Sequence, residues 1–307
     1  MKKVVIATEK PFAAVAVDGI KNILAKAGYE TVLLEKYASA DEFYQAVADA
    51  DALIVRSDKL TKEAVNAAPN LKIVVRAGAG YDNLDLAACS AKGIVAMNTP
   101  GQNSNAVAEL ALGMMIYMAR NCWEPGTGAE LKGKKLGIHA YGNVGKLVAA
   151  LGKGFGMDVS AFDPFIAPEV MKKDGVTPVT DMTDLYANCQ YVSLHIPATD
   201  QTKRSIGYDL ISLMPKNGTL VNTARKEVID EDGLLQAMTE RNDLKYATDV
   251  APDTLAKIRD CVGARIFATS KKMGAETAEA NINAGLAAAQ QIVDFFEKGD
   301  KKFQVNK

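Results

Sequence analysis

The sequence predicts an α/β protein built from two doubly wound parallel-sheet domains, Rossmann or flavodoxin-like, with a cleft between them. Three observations carry this prediction. Short runs rich in Val and Ile alternate with stretches whose apolar residues recur at helical spacing. The alternation runs through the chain twice, on either side of one long helical stretch and a loop rich in Gly. The 307 residues are also more than one small core organises, and they fit two domains of common size. Repeated strand–helix units imply parallel pairing, because a parallel connection needs a crossover that covers a sheet face.

Taken in order, Val4–Ala7, Thr31–Leu34, Ala52–Val55, Leu71–Val75 and Ile94–Met97 read as strands of the first series. Between them, Asp18–Ala27 and Ala40–Ala50 are amphipathic helices ending near Gly28 and Asp51. Pro100-Gly101 marks a turn, Asn103 or Ser104 suits an N-cap, and Asn105–Arg120 reads as a long helix. Pro125, Gly126, Gly128 and Gly133 then make an exposed loop. The second series runs through Lys135–His139, Val159–Phe162, Tyr191–Leu194, Thr219–Asn222, Lys245–Thr248 and Arg265–Ala268. Ala278–Lys298 is Ala-rich and reads as one helix closed by Gly299. The coenzyme motifs described below are central, and the last helix follows them. The expected layout is therefore a substrate-binding domain from residues 1–98 and 280–307, with a nucleotide-binding domain from 99–279.

Composition narrows the function classes. Apolar residues make up 48% and charged residues 24%, an ordinary balance for a soluble globular chain. A net charge of -1 offers neither a basic footprint for nucleic acid nor a polybasic patch for a membrane. The apolar run Val4–Ala7 is too short for a signal segment or a membrane span. Cys89, Cys122, Cys189 and Cys261 are scattered, without CxxC spacing or a metal-ligand cluster. No metal is expected, and lone thiols suit a reducing cytoplasm.

A chemical signal, weak on its own, follows the strand ending at His139. Ala140-Tyr141-Gly142-Asn143-Val144-Gly145 is a G-x-G-x-x-G turn with Ala in its first position, leading into a helix. Gly142 lets backbone approach a pyrophosphate, and Gly145 lets helix and strand pack closely. The helix N-terminus, with Asn143 and Val144, supplies free N–H groups and partial positive charge. Asp163 ends the next strand eighteen residues beyond Gly145, about where a carboxylate would hold the ribose hydroxyls. No Arg follows in Asp163-Pro164-Phe165, so NAD is preferred to NADP. Asp163 also has the simpler reading of a turn residue before Pro164.

Longer strings resemble the D-2-hydroxyacid dehydrogenase family over nearly the whole chain. They are VRAGAGYDNLDL with GIVAMNTPGQNSNAVAEL, KKLGIHAYGNVGKLVAALGKGFGMDVSAFDPF, YVSLHIPATDQTKRSIG, LVNTARKEVIDEDGLLQAM and YATDVAP. VRAGAGYDN with MNTPG resembles the branch that oxidises 3-phospho-D-glycerate. The resemblance implies that Arg225 binds and polarises the substrate carboxylate and carbonyl, a task suited to a planar, always-charged fork. It implies that Thr223 and Ala224 line the coenzyme cleft and that Asp249 holds the nicotinamide carboxamide. It further implies that the backbone of Ala77 and Gly78 receives the substrate carboxylate, and that Arg56 and Arg76 hold a substrate phosphate. The plainer alternatives are ion pairs, of Arg225 with Glu227 or Glu231 and of Arg56 or Arg76 with Asp58 or Asp82.

The sequence also departs from the family. The usual catalytic His is absent: His139 lies in the coenzyme strand, and His195, in SLHIP, either lines the adenine side or is a satisfied core residue. Lys272 stands where that His aligns, 47 residues beyond Arg225, and Thr254 stands where its Glu partner aligns, beside Asp253. Lys272 is therefore the expected acid/base, helped towards the neutral amine by burial and by the charge of Arg225. The alternative is a solvated Lys271-Lys272 pair with water as the base. Some short family members share the Lys and lack C-terminal regulatory domains, for which a chain ending at Lys307 leaves no room.

The function expected from all this is NAD-dependent oxidation of 3-phospho-D-glycerate to 3-phosphohydroxypyruvate, the first committed step towards serine. Its partner is a small phosphorylated 2-hydroxy acid, and the resemblance implies a homodimer formed through the NAD-binding domain. The other readings are a dehydrogenase for glycerate, glyoxylate or another small D-2-hydroxy acid, and a nucleotide-sensing corepressor-like binding protein.

Overall fold

The computed structural model describes residues 1–306, which divide into two compact units. One holds Met1–Asn103 and the segment from Ala275 onward, and the other holds Ser104–Gly274. The crossings thus fall at Asn103/Ser104 and Gly274/Ala275, five residues from the expected 98/99 and 279/280. The first moves because the long helix begins at Ser104.

The first unit starts with β1 (Lys3–Thr8), α1 (Ala14–Lys26), β2 (Glu30–Glu35), α2 (Ala40–Val47) and β3 (Ala52–Val55). It continues with α3 (Lys62–Ala67), β4 (Ile73–Arg76), α4 (Leu86–Ala91) and β5 (Val95–Asn98). The second unit runs α5 (Ser104–Ala119), β6 (Lys135–His139), α6 (Asn143–Gly154), β7 (Asp158–Phe162), α7 (Pro168–Lys173) and β8 (Thr177–Pro178). It goes on through α8 (Met182–Asn188), β9 (Tyr191–Leu194), α9 (Tyr208–Ile211), β10 (Thr219–Asn222), α10 (Glu231–Glu240), β11 (Lys245–Thr248), α11 (Leu255–Val262) and β12 (Ile266–Ala268). The chain then returns to the first unit as α12 (Ala278–Lys298).

Every strand pair named here is parallel. The first sheet has the order β2-β1-β3-β4-β5 and the second β12-β11-β10-β9-β6-β7-β8. These are the flavodoxin-like and dinucleotide-binding orders, with direction switching between β1 and β3 and between β6 and β9. Ligands of such sheets sit at the carboxyl ends of the strands beside the switch. Their central strands read as continuous apolar runs because both faces are covered, and ALIV in β3 is wholly buried.

In the first unit, α12 buries Ala284, Ala288, Ala289 and Ile292 in one core with Val4, Ile6 and Ile20. Small residues on that face let α12 lie close to α1, where a methyl on Gly285 would press on Ile20. Some elements escaped the sequence. The start of α1 was expected at Asp18 but is Ala14, because its N-cap, Ala13, offers no side-chain oxygen. The six-residue α3 and α4 are too short for periodicity and are held by the caps Thr61 and Asp85. No helix among the described residues is long and apolar enough to cross a membrane, and no group of His, Cys, Asp and Glu among them could hold a metal.

Candidate active site

The glycine-rich turn joins β6 to α6. Gly142 is the N-cap and makes no side-chain cap bond. The N–H groups of Asn143, Val144 and Gly145 find no acceptor among the described residues, so they remain available to an anion. A methyl on Gly145 would collide with the Ala140 carbonyl, which explains glycine there. Space is open where a Gly142 side chain would sit. Ala140 adopts φ +79°, a left-handed conformation that costs an L-residue about 1–2 kcal/mol. Asp163 is both a turn residue and a ribose candidate. One carboxylate oxygen accepts from Tyr141 N at 2.8 Å and the other from Phe165 N at 2.8 Å. Each oxygen keeps a second lone pair for a ligand hydroxyl.

At the carboxyl ends of β9, β10 and β11 lie three buried polar atoms with no partner: His195 Nε2, Thr223 Oγ1 and Asp249 Oδ1. A buried polar atom without a partner is costly unless something else supplies one. His195 is therefore not a satisfied core residue, although its backbone N–H bonds the His139 carbonyl at 2.9 Å. His139 itself is satisfied, with Nδ1 3.1 Å from the Tyr186 hydroxyl and its ring edge-on to Phe162. Burial pushes His139 down to about 4, and burial with the neighbouring His139 pushes His195 down to about 3, so both rings are neutral near pH 7.

Asp249 is 1% exposed, and its other oxygen, Oδ2, accepts from Gly274 N at 2.7 Å and Met273 N at 3.1 Å. These bonds hold the segment carrying Lys272 against the end of β11. Lys272 is exposed, so the burial expected to favour its neutral amine is not supplied. Thr254 is reached by a carboxylate from elsewhere. Glu231, at the start of α10, accepts from the Asp253 and Thr254 backbone N–H groups at 2.8 Å each, and from the Thr254 hydroxyl. Asp253 pairs instead with Lys226.

Arg225 is half-buried on the loop after β10. It meets no carboxylate among the described residues, so the alternative pairings with Glu227 and Glu231 are not formed. Its guanidinium donates to the Ala224 carbonyl at 2.9 Å, a neutral acceptor that leaves the charge uncompensated. Ala224 is buried, with its N–H on the Asn222 side chain at 2.9 Å.

In the first unit, Arg56 follows β3 and Arg76 ends the adjacent strand β4, with Arg76 opposite Val55. Arg56 pairs with neither Asp58 nor Asp82 through its guanidinium. It donates to the carbonyls of Lys10 and Pro11, each at 3.1 Å, and to Asn281 Oδ1, and it lies over the Phe12 ring. Arg76 Nε donates to the Arg56 carbonyl at 2.9 Å, and its guanidinium covers Gly78, where any side chain would collide with it. Gly78 also has φ +149°, a conformation that side chains disfavour.

The backbone donors expected at Ala77 and Gly78 require correction. Ala77 N–H bonds the Val55 carbonyl at 2.8 Å, extending the ladder, and Gly78 N–H bonds the Arg76 carbonyl at 2.9 Å. The next two N–H groups, of Ala79 and Gly80, have no acceptor among the described residues. The N–H groups left without an acceptor thus lie two positions further on, which sequence could not register because it does not show where the ladder stops.

Residues 104–269 match the family profile described as D-isomer specific 2-hydroxyacid dehydrogenase, NAD binding domain. The chain belongs to this family. The chain is 36% identical over 266 residues to a D-3-phosphoglycerate dehydrogenase of Methanocaldococcus jannaschii, covering 82% of this chain and 51% of that one. It is 34% identical over 280 residues to a hydroxypyruvate reductase of Thermotoga maritima, covering 86% and 90%. The crystal structure of NAD⁺-bound 3-phosphoglycerate dehydrogenase from Entamoeba histolytica superposes with a TM-score of 0.88 at 52% identity, covering 100% of this chain and 99% of that one. The chain spans about half the length of the phosphoglycerate dehydrogenases it matches by sequence. Its coenzyme is NAD. The second unit's residues fit it: free N–H groups head α6, and the unpartnered Thr223 Oγ1 and Asp249 Oδ1 lie on neighbouring strand ends.

Proposed function

We propose that this protein interconverts 3-phospho-D-glycerate and 3-phosphohydroxypyruvate with NAD, the entry step of serine synthesis. The observation that carries the reading is Arg225. It is a cation with no carboxylate partner among the described residues, on the strand end next to the one that carries Asp249. Relatives named for phosphoglycerate support the substrate, and so do two arginines on adjacent strand ends. A dianionic phosphate calls for two such forks, and a plain hydroxy acid does not.

In this reading the N–H groups of Asn143, Val144 and Gly145 hold the diphosphate, and Asp163 holds the ribose. Thr223, Ala224 and His195 line the coenzyme, and Asp249 Oδ1 accepts from the nicotinamide carboxamide. When bound, NAD supplies the hydride acceptor. Arg225 grips the substrate carboxylate and the oxygen on C2, so that charge developing on that oxygen is met by a fixed cation. Arg56 and Arg76 take the phosphate, and the Ala79 and Gly80 N–H groups are further donors for substrate oxygens. Lys272, held beside Asp249, gives a proton to the C2 oxygen in the direction of keto-acid reduction. Two copies pair through the NAD-binding unit, on whose surface Trp123 is 62% exposed. Size-exclusion chromatography with light scattering at a monomer mass would remove the pairing.

The test is NADH oxidation with phosphohydroxypyruvate, hydroxypyruvate and glyoxylate, using the unaltered protein and Arg76→Ala. The expected result is preference for the phosphorylated acid, with the Michaelis constant of that acid alone rising in Arg76→Ala. Equal effects on hydroxypyruvate would favour a dehydrogenase for a plain 2-hydroxy acid. NADH binding without oxidation of any acid would favour a nucleotide-sensing protein.

A further inference from the structure

Asn222, the last residue of β10, is 0% exposed and sits where the loops after β10 and β11 meet. Its side-chain Oδ1 accepts from Ala224 N at 2.9 Å, and its Nδ2 donates to the Arg225 carbonyl at 2.9 Å and to the Tyr246 hydroxyl at 3.3 Å. One amide therefore pins both ends of the Ala224-Arg225 dipeptide. The carbonyl inside that dipeptide, of Ala224, is the one that receives the Arg225 guanidinium. The Asn222 main-chain carbonyl accepts from the Thr248 hydroxyl at 2.8 Å and from Asp249 N at 3.4 Å.

We infer that Asn222 is the positioning residue for substrate binding, its side-chain amide fixing the Ala224-Arg225 dipeptide and with it the Arg225 guanidinium. This deepens the proposed function and rests on its reading of Arg225. The chemistry is selective. The position needs a donor and an acceptor together on a short side chain, which Asp, Leu and Ala lack, and Gln adds a methylene that the dipeptide loop would have to accommodate. The buried Tyr246 hydroxyl gives the amide a third contact that fixes its plane. Arg225 acts by direction as much as by charge, and its direction is set by a loop that no regular ladder holds. Small displacements of such a group cost large factors in rate, about 100-fold for roughly 1 Å.

The experiment is a double-mutant cycle on kcat/KM for phosphohydroxypyruvate, with Asn222→Ala, Arg225→Lys and the pair, and with NADH affinity measured for each. Asn222→Ala is expected to lower kcat/KM about 100-fold while NADH affinity changes by less than about threefold. In the Arg225→Lys background the same change should cost less than about threefold, because the group it positions is gone. Equal factors in both backgrounds, or a parallel collapse of NADH affinity, would overturn the inference and leave Asn222 a structural residue. Asn222→Asp covers the case in which Asn222→Ala does not fold. It keeps the shape and loses only the donors when ionised, so its deficit should shrink as the pH is lowered and the protonated acid donates again. A deficit that is flat with pH would count against the inference. Full activity in Arg225→Lys would instead sink the reading of Arg225 itself, a distinct outcome.

Discussion

Replacing Asp249 by Asn isolates what its carboxylate contributes to coenzyme binding. The side chain is 1% exposed, and one oxygen is committed to two backbone donors, Gly274 N at 2.7 Å and Met273 N at 3.1 Å. In Asp249→Asn the amide oxygen must stay on that side, because an NH₂ group facing two N–H donors would leave all of them unpaired. The amide NH₂ is then turned to the position of the unpartnered Oδ1, where the nicotinamide carboxamide is proposed to donate. A hydrogen bond to a charged acceptor is replaced by two donors facing each other. That loss is worth about 1.5–3 kcal/mol, or roughly 10- to 100-fold in affinity. Calorimetric titration of NAD and of ADP-ribose, which lacks the nicotinamide, separates this from general damage. NAD should weaken by the stated factor while ADP-ribose binds as before. If both ligands weaken equally, or neither does, Asp249 does not hold the carboxamide.

Three further outcomes are expected. Lys272→Ala should lower turnover in keto-acid reduction by about 10²–10⁴ with little change in NAD affinity, whereas Lys271→Ala is mild; normal turnover in Lys272→Ala would leave the proton to water. His139 has a folded value near 4 against 6.5 in the unfolded chain, so the unfolded state binds more protons between those values. Stability should therefore be full above about pH 6.5 and fall as the pH drops towards 4, about 3 kcal/mol of the fall coming from His139 and the rest from His195, which burial also holds down; urea midpoints that show no such slope, or a slope not reduced in His139→Gln, would contradict the assignment. Asn306 Oδ1 accepts from Ala96 N at 2.8 Å and its Nδ2 donates to the Ile94 carbonyl at 2.8 Å, sealing the edge of β5, so Asn306→Ala should cost about 2–3 kcal/mol and speed hydrogen exchange at Ala96; unchanged exchange there would show that the edge is protected otherwise.

The architecture was legible because a parallel sheet covered on both faces leaves few choices of residue. VVIA, ALIV and TLVN mark β1, β3 and β10 to within a residue or two, since every position in them is buried. What stayed hidden has no such signature. The strand β8 is the two residues Thr177–Pro178 at a sheet edge, and Pro there reads as a breaker, not as a strand. The start of α1 lacks a capping side chain, and α3 and α4 are shorter than two turns, too short for a period to show.

The site divides along a different line. Residues proposed to act through their side chains were visible, because few residue types can do what is proposed for them: Arg225 for a carboxylate, Asp163 and Asp249 as acceptors; Gly145 was visible because only a hydrogen fits there. Residues that act through backbone were not. The donors beyond β4 belong to Ala79 and Gly80, because the ladder uses Ala77 N–H and a tight turn uses Gly78 N–H. Glu231 occupies the Thr254 position from 23 residues away, a pairing set by the packing of α10 against the β11 loop. Asn222 lay in plain view three residues before Arg225, yet Asn at a strand end reads first as a turn former. Its other role needs the loop closed around it, with Ala224 N and the Arg225 carbonyl both within reach of one amide. Side-chain chemistry can be read from residue type, whereas the orientation of that chemistry is a property of the loop and emerges only with its hydrogen bonds.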